Sequence, residues 1–358
     1  MKYTRKLVLA DGTSFLGNGF GHTADVVCEI VFHTGMAGYE GVITDGAYEN
    51  LGVVMTYPTI GNFGVSQKTM DTKSNGLTAL IVKEHCHEPS NWQSVATIET
   101  ALKEKNIVGM TDVDTRALAI KLRESGTMKG IIVNVDVADT DALEQLKTAV
   151  TTAQPKQTEA TVISATEKAH TVALIDFGGE NEGIIEELLT RGCDVHLLPI
   201  DVTVETIKEV GANGIFLSNG PEKEISLSDV TVVTEMAKQF PVFGLGYGYQ
   251  VLATAMGATV AKMALGHRGE NTPVKDIATG KTLITSQNHG YTVDKDSLEN
   301  TDLTVTHVAI NDETVQGIAH KTLPVFGVQF KADVHTGLAD AAYLFDKFVN
   351  QLGGNKNA

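Results

Sequence analysis

The sequence predicts an α/β protein: a strand-rich N-terminal domain followed by an open, mostly parallel sheet flanked by helices. Short apolar runs separated by Gly, Asp, Asn and Thr fill residues 6 to about 60. A polar stretch with a proline and no periodicity lies at residues 151–159. Beyond it, apolar strands alternate with helical segments, the spacing of a parallel sheet covered on both faces.

In the first domain, Leu7-Val-Leu9 and Val26-Val-Cys-Glu-Ile-Val-Phe32 read as strands. Apolar residues three and four apart around 97–103 and 115–123 predict two helices, and a third is expected near 141–151. These place the first domain at 1–152 and a linker at 153–169. In the second domain, 170–358, strands are predicted at 171–177, 194–198, 214–217 and 242–245. Each is followed by a helix, at about 183–190, 204–210, 228–238 and 249–256. Past Gly257 the chain turns strand-rich until an amphipathic helix at about 338–352.

With 358 residues, 42% hydrophobic and 20% charged, the chain can bury a sizeable core in each domain. Its formal net charge of −16 repels a phosphate backbone, which argues against nucleic acid and anionic membrane as partners. Leu7-Val-Leu-Ala10 is too short for a signal segment and no run reaches a membrane span, so the chain reads as cytoplasmic. Three widely spaced cysteines, Cys28, Cys86 and Cys193, supply neither a disulfide framework nor a metal knuckle. His85-Cys-His87 reads as a loop, because neighbours on an extended segment face apart and no further cluster completes a tetrahedron. No metal is expected in this chain.

Ligands of open α/β sheets sit at the carboxyl ends of the strands. There, after the strand at 242–245, the chain reads Pro241-Val-Phe-Gly-Leu-Gly-Tyr-Gly-Tyr-Gln250. A dinucleotide loop would need a third glycine where Tyr249 stands. A plain turn would use the glycines for close helix–strand packing. A nucleophile elbow would hold one residue up at a helix N-terminus, where backbone N–H groups favour negative charge.

Phe216-Leu-Ser-Asn-Gly-Pro221, Pro241-Val-Phe-Gly244, Gly248, Gln250 and Ser286-Gln-Asn-His-Gly290 resemble the class I, triad-type glutamine amidotransferase domain of carbamoyl phosphate synthetase. Val31-Phe-His-Thr-Gly-Met-Ala-Gly-Tyr-Glu40, Thr56-Tyr-Pro-Thr-Ile-Gly-Asn62 and Val113-Asp-Thr-Arg116 are similar to the N-terminal domain of its small subunit, which other amidotransferases of the class lack. Lys275 and Gly266-His-Arg-Gly269 extend the similarity, which runs from about Lys6 to Leu352. The resemblance implies arginine or pyrimidine biosynthesis and a synthetase large subunit as partner. ATP and Mg are then expected on that large subunit only, with no cofactor in this chain.

The family hydrolyses glutamine with an elbow cysteine, a histidine that takes its proton and a glutamate that orients the histidine. By resemblance these positions are Gly246, Lys331 and Asp333 here, and Tyr249 replaces a further histidine after the nucleophile. An ammonium has no lone pair, and Asp333 would hold Lys331 charged, so a buried ion pair is expected in place of a base. Glu222 would put a carboxylate on the wall where glutamine binds, and Gly35 replaces a serine that contacts glutamine. Gln250, Asn288, Gly290 and Tyr291 match residues that shape the substrate pocket, and the N–H groups of Gly220 and Tyr247 are left to form an oxyanion hole. His289 reads as structural. Losing a triad nucleophile costs on the order of a million-fold, and an oxyanion hole alone leaves only ~10³–10⁴ over water.

The leading expectation is therefore a small subunit unable to hydrolyse glutamine, with a structural or regulatory role in an ammonia-using synthetase. One alternative is a non-catalytic sensor that takes a small amino acid or anion in the old pocket. The other is a conventional glutaminase subunit.

Overall fold

The computed structural model of the chain describes residues 3–72, 76–149, 159–332 and 339–353. It divides into two compact units, Met1–Gln154 with Ala264–Gly269, and Pro155–Met263 with Glu270–Ala358.

The first unit is built on a closed barrel of seven strands. In order around the barrel these are Arg5–Leu9, Ser14–Gly21, Val108–Thr111, Ala79–Ile81, Leu51–Met55, Val26–His33 and Met128–Asn134. Closure leaves no open strand edge. Successive residues of the strands face opposite ways and feed separate clusters. Ile30, Val54 and Ile81 pack with Leu118 and Leu122 of the helix Thr115–Ser125. Val31, Val53 and Leu80 pack with Ile98, Ala101 and Leu102 of the helix Ile98–Glu104. Both helices were expected from periodicity, and both begin at side-chain caps: Thr97 accepts from Thr100 N–H and Asp114 from Ala117 N–H. The third helix, Asp139–Thr148, starts two residues before the expected 141, and its expected end, with most of the polar stretch at 151–159, lies outside the described residues. Beside the barrel, Thr59–Ile60 pairs in parallel with Glu84–His85.

The second unit is a ten-stranded sheet, in the order Thr161–Ile163, Cys193–Pro199, His170–Asp176, Gly214–Leu217, Val242–Leu245, Val325–Val328, Val315–His320, Thr282–Val293, Val260–Asp276 and Leu303–Ala309. The run from Cys193–Pro199 to Val325–Val328 is parallel. Phe216, Phe243 and Phe326 turn to one face, against Phe345 and Phe348 of the helix Tyr343–Leu352. Ile215, Leu217 and Val242 turn to the other, against Val233, Met236 and Val251 of the helices Leu227–Ala237 and Tyr247–Ala255. Burial on both faces is why these strands read as continuous apolar runs.

Three expectations are corrected. Residues 161–163, placed in the linker, form an antiparallel edge strand of this sheet. Their outer face is open, with Val162 58% exposed, so no apolar alternation marked them. The helix expected at 249 starts at Tyr247, directly after the turn at Gly246. The C-terminal helix starts at Tyr343, after a 3-10 turn at Ala339–Ala341, later than the expected start near 338, which lies outside the described residues. Among the described residues, no helix is long and apolar enough to cross a membrane.

Candidate functional site

The parallel strand Val242–Leu245 ends at Gly246, which has φ 55 and ψ −115. That is the sharp left-handed bend of an elbow, tolerated by glycine and strained for any other residue. The next residue is already helical. Gly248 lets the helix come down on the neighbouring strand, because a Cβ there would meet Ser218 O at 2.5 Å. The backbone therefore has the elbow geometry, and the dinucleotide-loop reading is not needed to account for the glycines.

The top of the elbow is occupied by Asn219. A Cβ on Gly246 would lie 2.1 Å from Asn219 Oδ1 and 2.5 Å from its Cγ. The same Oδ1 accepts a 2.9 Å hydrogen bond from Tyr247 N–H, and Gly248 N–H donates to Ser218 O at 3.1 Å. The first two N–H groups of the helix are thus satisfied within the chain. Here the sequence reading is corrected: Tyr247 N–H was expected in an oxyanion hole, and it is engaged by Asn219. Gly220 is buried behind this turn, with room for no side chain, since a Cβ would meet Phe177 O at 2.4 Å.

Glu222 and Gln250 meet beside it. Gln250 is 1% exposed, and its Nε2 donates to Glu222 Oε1 at 2.6 Å and to Gln329 Oε1 at 3.1 Å. The other carboxylate oxygen of Glu222 accepts from Gly290 N–H. One carboxylate thus ties the elbow helix to the strand Thr282–Val293. Asn288 and Tyr291, half-buried, lie on that strand. Between them His289 bonds Tyr291 O at 2.8 Å and Gln287 Oε1 at 2.9 Å.

Lys331 is half-buried, and its N–H donates to Ser286 O at 3.0 Å. Burial pushes the carboxyl of Glu270 up, and the Lys331 ammonium beside it pulls the other way. Asp333, and with it the expected ion pair to Lys331, lies outside the described residues. Gly35 belongs to the first unit, where its N–H donates to His33 Nδ1 at 3.1 Å. Two of the three thiols are poor nucleophiles: burial pushes Cys28 up to about 12 and Cys193 up to about 11, so neither is a thiolate at neutral pH.

Comparison with known proteins gives this geometry a family. The model for "Carbamoyl-phosphate synthase small chain, CPSase domain" matches residues 7–132, and that for "Glutamine amidotransferase class-I" matches residues 173–351. The chain belongs to the carbamoyl phosphate synthase small-chain family. It is 40% identical to the carbamoyl phosphate synthase small chain of Fusobacterium nucleatum, over 99% of both chains. It is 42% identical to that of Bacillus cereus, over 97% of this chain and 96% of the relative. The pyrimidine-specific small chain of Bacillus subtilis is 41% identical, with the same coverage.

In this chain Glu222 joins Gln250 of the elbow helix to Gly290. Asn219 and Gln329 were not singled out from the sequence as site residues. Asn219 stood in a quoted motif, but only the absence of a side chain at Gly246 makes space for its amide, and that is a fact of packing.

Proposed function

We propose that this chain is a non-hydrolysing small subunit: it binds a carbamoyl phosphate synthetase large subunit, which then takes free ammonia as its nitrogen donor. The observation that carries the reading is Asn219, whose amide fills the space above Gly246 and holds Tyr247 N–H at 2.9 Å. Amide hydrolysis by this route needs a nucleophile at the bend and free donors for the developing oxyanion. Gly246 provides no nucleophile, and one of the two expected donors is already committed.

Glu222 supports the same reading. Its two oxygens occupy Gln250 Nε2 and Gly290 N–H, polar groups that the family resemblance assigns to substrate. A fixed carboxylate at that wall also repels developing negative charge. The test is reconstitution with the large subunit, comparing nitrogen donors. Carbamoyl phosphate is expected with ammonium and at background with glutamine. Synthesis from glutamine at a rate comparable to that from ammonium would overturn the proposal.

The sensor reading stands second, because a small amino acid or anion must first displace Glu222. Glu222→Ala separates the two. Leaving Gln250 Nε2 and Gly290 N–H without this acceptor is expected to cost about 1–3 kcal/mol in urea unfolding, partly recovered by acetate. Calorimetric binding of an amino acid or small anion to the parent protein would instead favour the sensor.

A further inference from the structure

The extended segment around Glu84–His85 presents an unexpected cluster. His85 and His87 are two residues apart, so they share a face, and their rings stand 4.3 Å apart at 66°. Glu99, in the first turn of the helix Ile98–Glu104, comes to the same point. One ligand atom from each of His85, His87 and Glu99 lies within 4.8 Å of the other two. The sequence reading considered the adjacent pair of residues and missed both the shared face and the third ligand, which only tertiary packing delivers.

His85 is the informative member. It is 6% exposed and stacked on Phe20 at 4.2 Å and 9°, which fixes the ring. Among the described residues, neither ring nitrogen has a hydrogen-bond partner. A buried polar atom without a partner costs free energy and calls for a ligand. In either neutral tautomer the imidazole keeps a lone pair for such a ligand. Glu84, Glu99 and Asp112 surround it with negative charge.

We propose that His85, His87 and Glu99 form a binding site for a first-row divalent cation of the zinc class. Two imidazole nitrogens and one carboxylate suit zinc, nickel, cobalt or copper, whereas magnesium and calcium take oxygen sets. Three protein ligands leave a further position for water. The ligand edge of a zinc tetrahedron is about 3.3 Å, so the atoms must close up by roughly 1.5 Å at most from their present limit. His87 is exposed and can make that movement. Glu99 must also loosen its 2.7 Å pair with Lys103, whose side chain is 58% exposed.

The test uses the full chain, stripped with chelator and titrated with cobalt, read by its visible absorption, then with zinc in competition. One equivalent of each is expected. His87→Ala and Glu99→Gln, at the surface, should each weaken zinc at least about tenfold with an unchanged thermal melt, and His85→Ala should weaken it at least about a hundredfold. Cys86→Ser should bind like the parent. Zinc affinity unchanged in His87→Ala and Glu99→Gln, loss of binding in Cys86→Ser, or no uptake by the parent up to about millimolar zinc would each overturn the proposal.

Discussion

Replacing Gly246 by Cys leaves glutamine hydrolysis at the background of the parent chain. A thiol alone would be the obvious repair, because absence of the nucleophile by itself accounts for a loss on the order of a million-fold. The repair fails for three reasons, two from packing and one from the family resemblance. The new Cβ would lie 2.1 Å from Asn219 Oδ1, so the amide must rotate away before the side chain fits, giving up its bond to Tyr247 N–H. By resemblance Lys331 takes the base position, and an ammonium cannot accept the thiol proton. Glu222 still bridges Gln250 and Gly290, positions that the resemblance gives to the substrate pocket. Glutamate release and trapping of a glutamyl thioester are the measurements. Recovery to within about tenfold of a working triad from this one change would contradict all three arguments together. Adding Asn219→Ala and Lys331→His should restore thiol reactivity before it restores turnover, since Glu222 is the last obstacle in that order.

The bend at Gly246 was legible and what surrounds it was not. The strand at 242–245, its glycines and the helix after it follow from apolar runs and from where glycine tolerates a bend, both local properties. The missing side chain at Gly246 was equally plain. What fills the space is settled by which neighbour can reach it, and Asn219 sits on a different strand end, so no spacing rule points to it. Glu222 announced a charge near the pocket, but its bidentate tie to Gln250 and Gly290 depends on two other segments meeting it. The same limit explains the edge strand at Thr161–Ile163: it pairs along one edge only and none of its residues is fully buried, so it left no periodic signal. His85 and His87 carry a readable two-residue spacing, yet Glu99 reaches them only through the packing of the helix Ile98–Glu104.

Acid should destabilise this protein through His307 in particular, and His307→Gln should remove most of that effect. The residue is 4% exposed on the strand Leu303–Ala309, and burial pushes its pKa down to about 4 despite the pull of Asp276, with Lys347 adding to the depression. Its hydrogen bonds suit the neutral ring. Tyr343 gives its proton to Asp276 at 3.1 Å, so it accepts from His307 Nε2–H at 2.9 Å, and Nδ1 takes the Thr306 hydroxyl at 2.8 Å. An unfolded histidine titrates near ~6.5. Between that value and about 4 the unfolded chain binds a proton that the folded chain refuses. Stability is therefore complete above about pH 6.5 and falls as pH is lowered toward 4, by about 2–3 kcal/mol at pH 4.5. Glu270, whose carboxyl burial holds up, works in the opposite direction over part of this range, but equally in parent and variant. Burial alone would raise Asp276, and hydrogen bonds from Thr279, Tyr343 and Ala278 outweigh it, so its titration lies below the window. Urea unfolding at pH 7.0 and pH 4.5 reads the difference: the parent should lose about 2–3 kcal/mol more than His307→Gln on acidification. Equal losses in the two proteins would mean that His307 is protonated in place, and that the helix Tyr343–Leu352 stays docked over a charged imidazole.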